Sequence, residues 1–193
     1  MPIEKTKSTD TAAAGLVAKT GASERGGAGG VFTVTCFDKD GNLKWEEKSH
    51  NLVVNVGLEY MNDAALGGGS QITTWYIGLY GAAASNSPAA GNTMLSHSSW
   101  TEVTAYDETT RRTCTFGTPT IANPSVITNS ASTAEFTMNA TTVVGGAFLT
   151  SDDTKGGTIG TLFSAADFQS PGDRSVVDND ILRVTYTFSL TGT

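Results

Sequence analysis

The most constraining stretch of this chain is Val31-Phe32-Thr33-Val34-Thr35-Cys36-Phe37, which alternates with period two. Successive side chains of a strand point to opposite faces, so alternation of this kind marks a half-buried strand. Asp38-Lys39-Asp40-Gly41-Asn42 follows, and then Leu43-Lys44-Trp45. Two such runs joined through Asp-Gly predict a hairpin, with Asp40-Gly41 supplying the positive-φ turn residues. The same five residues resemble the opening of a calcium loop, in which alternate oxygen side chains face the ion. The twelfth position is Ser49 rather than a bidentate Glu, which favours the turn.

The pattern continues in short pieces. Asn51-Leu52-Val53-Val54 suits a further strand, and Asn55 is placed to cap a short helix through Leu66, with Val56, Tyr60, Met61 and Ala64 on one face. Gly67-Gly68-Gly69 ends it. Ile72 to Tyr80 is the most apolar strand and the expected centre of the core, followed by a loop from Gly81 to Thr93. Further strands are expected around Thr110–Thr118, Ala134–Asn139, Val143–Thr150, Ile159–Ser164 and Ile181–Leu190. With 22 Gly and only 16% charged residues, the composition favours short strands and tight turns over long helices. No fixed-period repeat points to a solenoid or propeller. The expectation is an all-β chain: a jelly-roll-like β-sandwich over residues 31–193, with one short helix and an extended N-terminal arm over residues 1–30.

The arm is rich in small residues, with Leu16 and Val17 isolated among them, and cannot bury enough surface to offset its ordering entropy alone. It should be free or ordered by a partner. Lys5, Lys7, Lys19 and Arg25 oppose Glu4, Asp10 and Glu24, so the arm is about +1 and the rest about −8, in a chain whose total is −7. These charges suit docking on an acidic neighbour and argue against binding nucleic acid through phosphates, which requires clustered Lys and Arg. No stretch approaches a signal peptide or the roughly 20 apolar residues of a membrane helix, so synthesis in the cytoplasm and a soluble product are expected.

Few residues suggest chemistry. His50 and His97 sit in polar contexts without a second ligand nearby and read as solvated or hydrogen-bonding. Asp152-Asp153 and Asp178-Asn179-Asp180 could hold a cation, but turn chemistry explains them. Gly145-Gly146 and Gly156-Gly157 match no phosphate loop and read as bulges or close packing. No GxSxG elbow, CxxC pair or His cluster is present, and Cys36 and Cys114 read as free buried thiols rather than a pair. No enzyme activity and no cofactor are expected. Trp75 belongs to the core. Trp100 reads as interior or, alternatively, as an exposed interface aromatic. Arg111-Arg112 could pair with Asp107 and Glu108, locally or across subunits. The candidate partner contacts are therefore Lys5, Lys7, Leu16, Val17, Lys19, Arg25 and Trp100.

Taken together, the order of features resembles small virion structural proteins of tailed bacteriophages over about residues 31–190. It runs from His50-Asn51-Leu52-Val53 and the short helix to Trp75-Tyr76-Ile77-Gly78-Leu79. Next come His97 to Val103 with Tyr106 and Arg111, then Gly145 to Leu149, Gly156-Gly157-Thr158 and Val184-Thr185-Tyr186-Thr187-Phe188. The resemblance implies a β-rich protein on the capsid surface, a decoration or cement protein that binds the major capsid protein, and the symmetry of a capsid suits a dimer or trimer there. It implies no catalytic residues. A tail- or head-fibre-associated protein that binds a receptor or carbohydrate is the alternative.

Overall fold

The computed structural model describes residues 27–81, 87–169 and 172–192. In chain order its strands are β1 (Gly27–Phe37), β2 (Leu43–His50), β3 (Leu52–Val53), β4 (Trp75–Gly81), β5 (Thr101–Glu102), β6 (Arg112–Cys114) and β7 (Ser125–Thr128). They continue with β8 (Ala134–Thr137), β9 (Thr142–Val144), β10 (Gly146–Thr150), β11 (Leu162–Asp167), β12 (Arg174–Val176) and β13 (Ile181–Thr191). A helix, α1 (Asn55–Asn62), runs on into a wider π turn over Asp63–Gly67.

Two antiparallel sheets enclose the core. One has the order β2-β1-β13-β7, with β8 also on β13; the other has β3-β11-β10-β4-β5, with β6 also on β4. Phe32, Val34 and Cys36 of β1 and Leu182, Val184, Tyr186 and Phe188 of β13 point inward from the first sheet. Ile77 and Leu79 of β4, Ala147 and Leu149 of β10 and Phe163 of β11 meet them from the second. Alternation along β1 and β13 thus puts every second side chain in the core, as a sheet buried on one face requires.

The β1–β2 hairpin forms where the sequence places it, closed by the Asp38–Asn42 turn. Gly41, at φ 83°, is its left-handed residue; Asp40 does not share that conformation. Asp38 Oδ1 accepts the backbone N–H groups of Asp40 and Asn42 at 2.9 and 2.8 Å, and its carboxylate also accepts from the Asn42 side chain. Those bonds hold the Asp38 pKa below the usual carboxylate value, the Asn42 side chain first among the causes. The carboxylate that a calcium loop would aim at an ion is spent on its own turn.

Several expectations are corrected. β1 starts at Gly27, four residues before the alternating run, because Gly27 to Gly30 continue the backbone ladder opposite Thr191 to Phe188 without needing side chains. The helix begins at Asn55 and is capped by Val54, with no side-chain cap; the Asn55 N–H instead donates to the Ala90 carbonyl at 2.8 Å. Its half-buried face is Val56, Tyr60, Met61 and Ala64, as the spacing predicts. The expected strand over Val143–Thr150 is split. Gly145 leaves β9 to pair with β12 while β10 joins the second sheet. Gly146 lies so close to Tyr80 and the Ala166 carbonyl that a Cβ would collide with both, which is the close approach that requires glycine there.

Cys36 in β1 and Cys114 in β6 are both free and buried. Burial pushes each thiol from the ordinary 9.0 up to about 12. Folded protein should react with a thiol reagent at pH 8 only as fast as it opens, and both thiols should titrate together on denaturation. The raised folded values also mean that the stability these thiols contribute is full below pH 9 and is lost as pH rises toward 12. An alkaline melting series that stays flat across that window would contradict the assignment.

Candidate interaction site

Six of the seven sequence candidates, Lys5, Lys7, Leu16, Val17, Lys19 and Arg25, lie outside the described residues. The seventh, Trp100, is only 2% exposed. Its Nε1–H donates to Asn92 Oδ1 at 3.2 Å, and its ring is layered between His97 on one side and Tyr80 and Phe148 inside. The His97 ring lies 3.9 Å from it, nearly parallel, with Nδ1 3.0 Å from the Trp100 carbonyl. Trp100 therefore belongs to the interior, and it leaves the set of surface candidates. The serines beside it made its surroundings look polar, yet the loop folds over so that a histidine covers the indole. His50 is exposed at the end of β2.

A second cluster lies beneath the loop from Ser151 to Thr161. The Arg111 side chain is fully buried and forks onto Glu102, with Nε to Oε1 at 2.9 Å and Nη2 to Oε2 at 2.8 Å. Nη1 donates to the Asp152 carbonyl and Nη2 to the Gly157 carbonyl, and the guanidinium sits 5.4 Å from the Phe148 ring centre. Nearby, Lys155 Nζ donates to the carbonyls of Tyr106 and Glu108. The expected pairing of Arg111 with Asp107 or Glu108 is thus replaced. Asp107 is exposed, and Glu108 accepts from the Thr137 N–H. Every nitrogen of the guanidinium has a partner, so this is a pin that fastens the loop to β5 and β6 rather than a reactive centre.

The remaining acidic cluster is a turn. Asn179 adopts a left-handed φ of 67°, and buried Asp180 accepts the Val177 N–H at 2.8 Å and pairs with Lys44. Among the described residues no three His, Cys, Asp or Glu side chains converge on a common point.

What sequence reasoning missed is an aromatic groove. Tyr60 of α1, Trp75 of β4, Phe116, Ile127 of β7, Leu149, Phe163 and Phe188 surround a cavity of about 150 Å³ with Tyr186 at its floor. Ring centroids step from Tyr60 to Trp75, Trp75 to Phe163 and Phe163 to Phe188 at 5.3 Å each. Tyr60 Oη accepts the Ile72 N–H at 2.9 Å, which pins the helix over one end. Past Tyr60 and Phe188 the cavity widens into a shallow trough between Met61, Ala64, Ala65 and Leu190. The lining comes from strands of both sheets, one loop and one helix, so no local pattern could have announced it. Comparison with protein families, curated proteins and solved structures finds no match for this chain.

Proposed function

We propose that this protein is a virion structural protein of a tailed phage, a decoration or cement protein that binds assembled major capsid subunits and stabilises the head. In this reading it is made in the host cytoplasm, acts on the capsid surface as a dimer or trimer, and needs no cofactor, catalytic site, membrane or nucleic acid. The finer description of the two sheets as a jelly-roll sandwich belongs to the same proposal. The observation that supports it most is the β1–β13 pairing, eleven residues long, from Gly27 opposite Thr191 to Phe37 opposite Ile181. Ladder hydrogen bonds lie perpendicular to the strands, so tension entering at Gly27 along β1 is shared across the whole ladder in shear instead of opening one bond at a time. A body rooted this way can transmit force from an N-terminal segment that reaches neighbouring subunits, and many copies would divide the pressure of packaged DNA. The alternative, a receptor- or glycan-binding protein of the tail or head fibre, loses its leading aromatic with Trp100 buried.

Co-sedimentation with preformed heads lacking the protein tests this. The full chain is expected to bind saturably at a fixed stoichiometry, and a chain lacking residues 1–26 to bind more weakly while its β1 stays intact. No binding by the full chain overturns the capsid reading; full occupancy by the shortened chain overturns the role of the arm.

A further inference from the structure

The aromatic groove ends where the described body begins. Leu190 follows Phe188 on the inward face of β13, and it is 44% exposed. The strand beside it explains why. Ala28 stands opposite Leu190 and Gly30 opposite Phe188, so β1 offers little side chain there to cover its neighbour. Leu66, in the π turn beyond Ala64 and Ala65, is 88% exposed. An apolar trough rimmed by Leu190 therefore opens beside the point at which residues 1–26 join β1.

Those residues contain one adjacent pair of large apolar side chains, Leu16-Val17, set among Ala12-Ala13-Ala14-Gly15 and Ala18. Small flanking residues let a backbone approach a groove closely. The ten steps along the chain from Val17 to Gly27 reach at most about 33–36 Å when extended, and the segment includes Gly21 and Gly26, which ease a reversal of direction. Charge agrees with this placement. Glu59 of α1 and Asp63 of the π turn lie beside Tyr60, the segment Asn55–Gly67 has no basic residue, and Lys19 lies two residues beyond Val17.

We propose that Leu16 and Val17 of this same chain seat in the groove bounded by Tyr60, Trp75, Phe116 and Phe188, fastening residues 16–26 to the body. A tether this short holds the pair at an effective concentration on the order of millimolar, which favours its own groove over that of another copy. A groove lined almost wholly by apolar atoms is suited to a compact hydrocarbon group, and two branched side chains supply one. Residues 1–15, with Lys5 and Lys7, are then the part left to reach outward. This inference stands apart from the capsid reading, since it concerns the free protein alone.

The test is methyl NMR of the full chain without any particle. Leu16 and Val17 methyls are expected upfield, within the shielding faces of the rings, with cross-peaks to Tyr60, Trp75 or Phe116 that persist on dilution. A full-chain Leu16→Asp/Val17→Asp variant should keep the fold, shift the Trp75 indole resonance and bind an apolar dye several-fold more than wild type. Random-coil methyl positions in wild type would overturn the proposal, as would cross-peaks that vanish on dilution, since those come from a second copy. A double variant with an unmoved Trp75 resonance and unchanged dye binding would overturn it as well.

Discussion

Replacing Arg111 with alanine is expected to lower the melting midpoint by roughly 6–20 °C. The figure follows from about 3–5 kcal/mol for breaking a buried ion pair and about 2–4 °C per kcal/mol for a chain of this size. The cause is what remains behind. Glu102, whose side chain is only 6% exposed, would keep a buried charge whose other hydrogen-bond partner is the exposed Gly156 N–H. The carbonyls of Asp152 and Gly157 would lose their donor. Arg111→Lys should recover only part of the loss, because an ammonium cannot match the two-oxygen fork. Replacing both partners by apolar residues of similar volume should cost less than Arg111→Ala alone, since no unpaired charge is left. Calorimetry on the three variants decides it: an Arg111→Ala protein within 2 °C of wild type would mean that the guanidinium does not hold the loop.

Trp100→Ala should be comparably damaging, at about 3–5 kcal/mol for truncating a buried aromatic. The indole supports Tyr80 and Phe148 from one side and His97 from the other, so its removal leaves a cavity lined by three rings. Trp100→Phe should restore much of the midpoint, while His97→Ala should cost far less, because His97 covers the indole from the half-exposed side. A Trp100→Ala protein that melts like wild type would put the indole on the surface and revive the glycan-binding alternative. Thermal denaturation followed by near-ultraviolet circular dichroism reads both the midpoint and the lost aromatic packing.

The sequence made the long alternating strands legible because their signal is local. β1 and β13 announce themselves through period two, and the helix face through its three- and four-residue spacing. β5, β7 and β12 have two to four residues each, too few for any period to show. They exist because a partner strand is already in place. Arg111 shows the same limit from another side. Its nearest acids in sequence looked like its partners, but the pairs formed lie 9 and 41 residues away. The groove was wholly hidden, since each of its aromatic residues reads locally as ordinary core. Only the packing reveals that they do not quite close.

The pairing of Gly27 with Thr191 also fixes a practical geography. The first and last residues of the ladder lie side by side at one end of the molecule, and the Asp38–Asn42 turn lies at the other, about 33 Å away along β1. Cargo fused after Thr193 would crowd the root of the N-terminal segment and the mouth of the aromatic groove. The same cargo inserted between Asp40 and Gly41, at an exposed tip, would point the opposite way and leave both clear. The hairpin tip is thus the natural position for displaying a foreign peptide on this body.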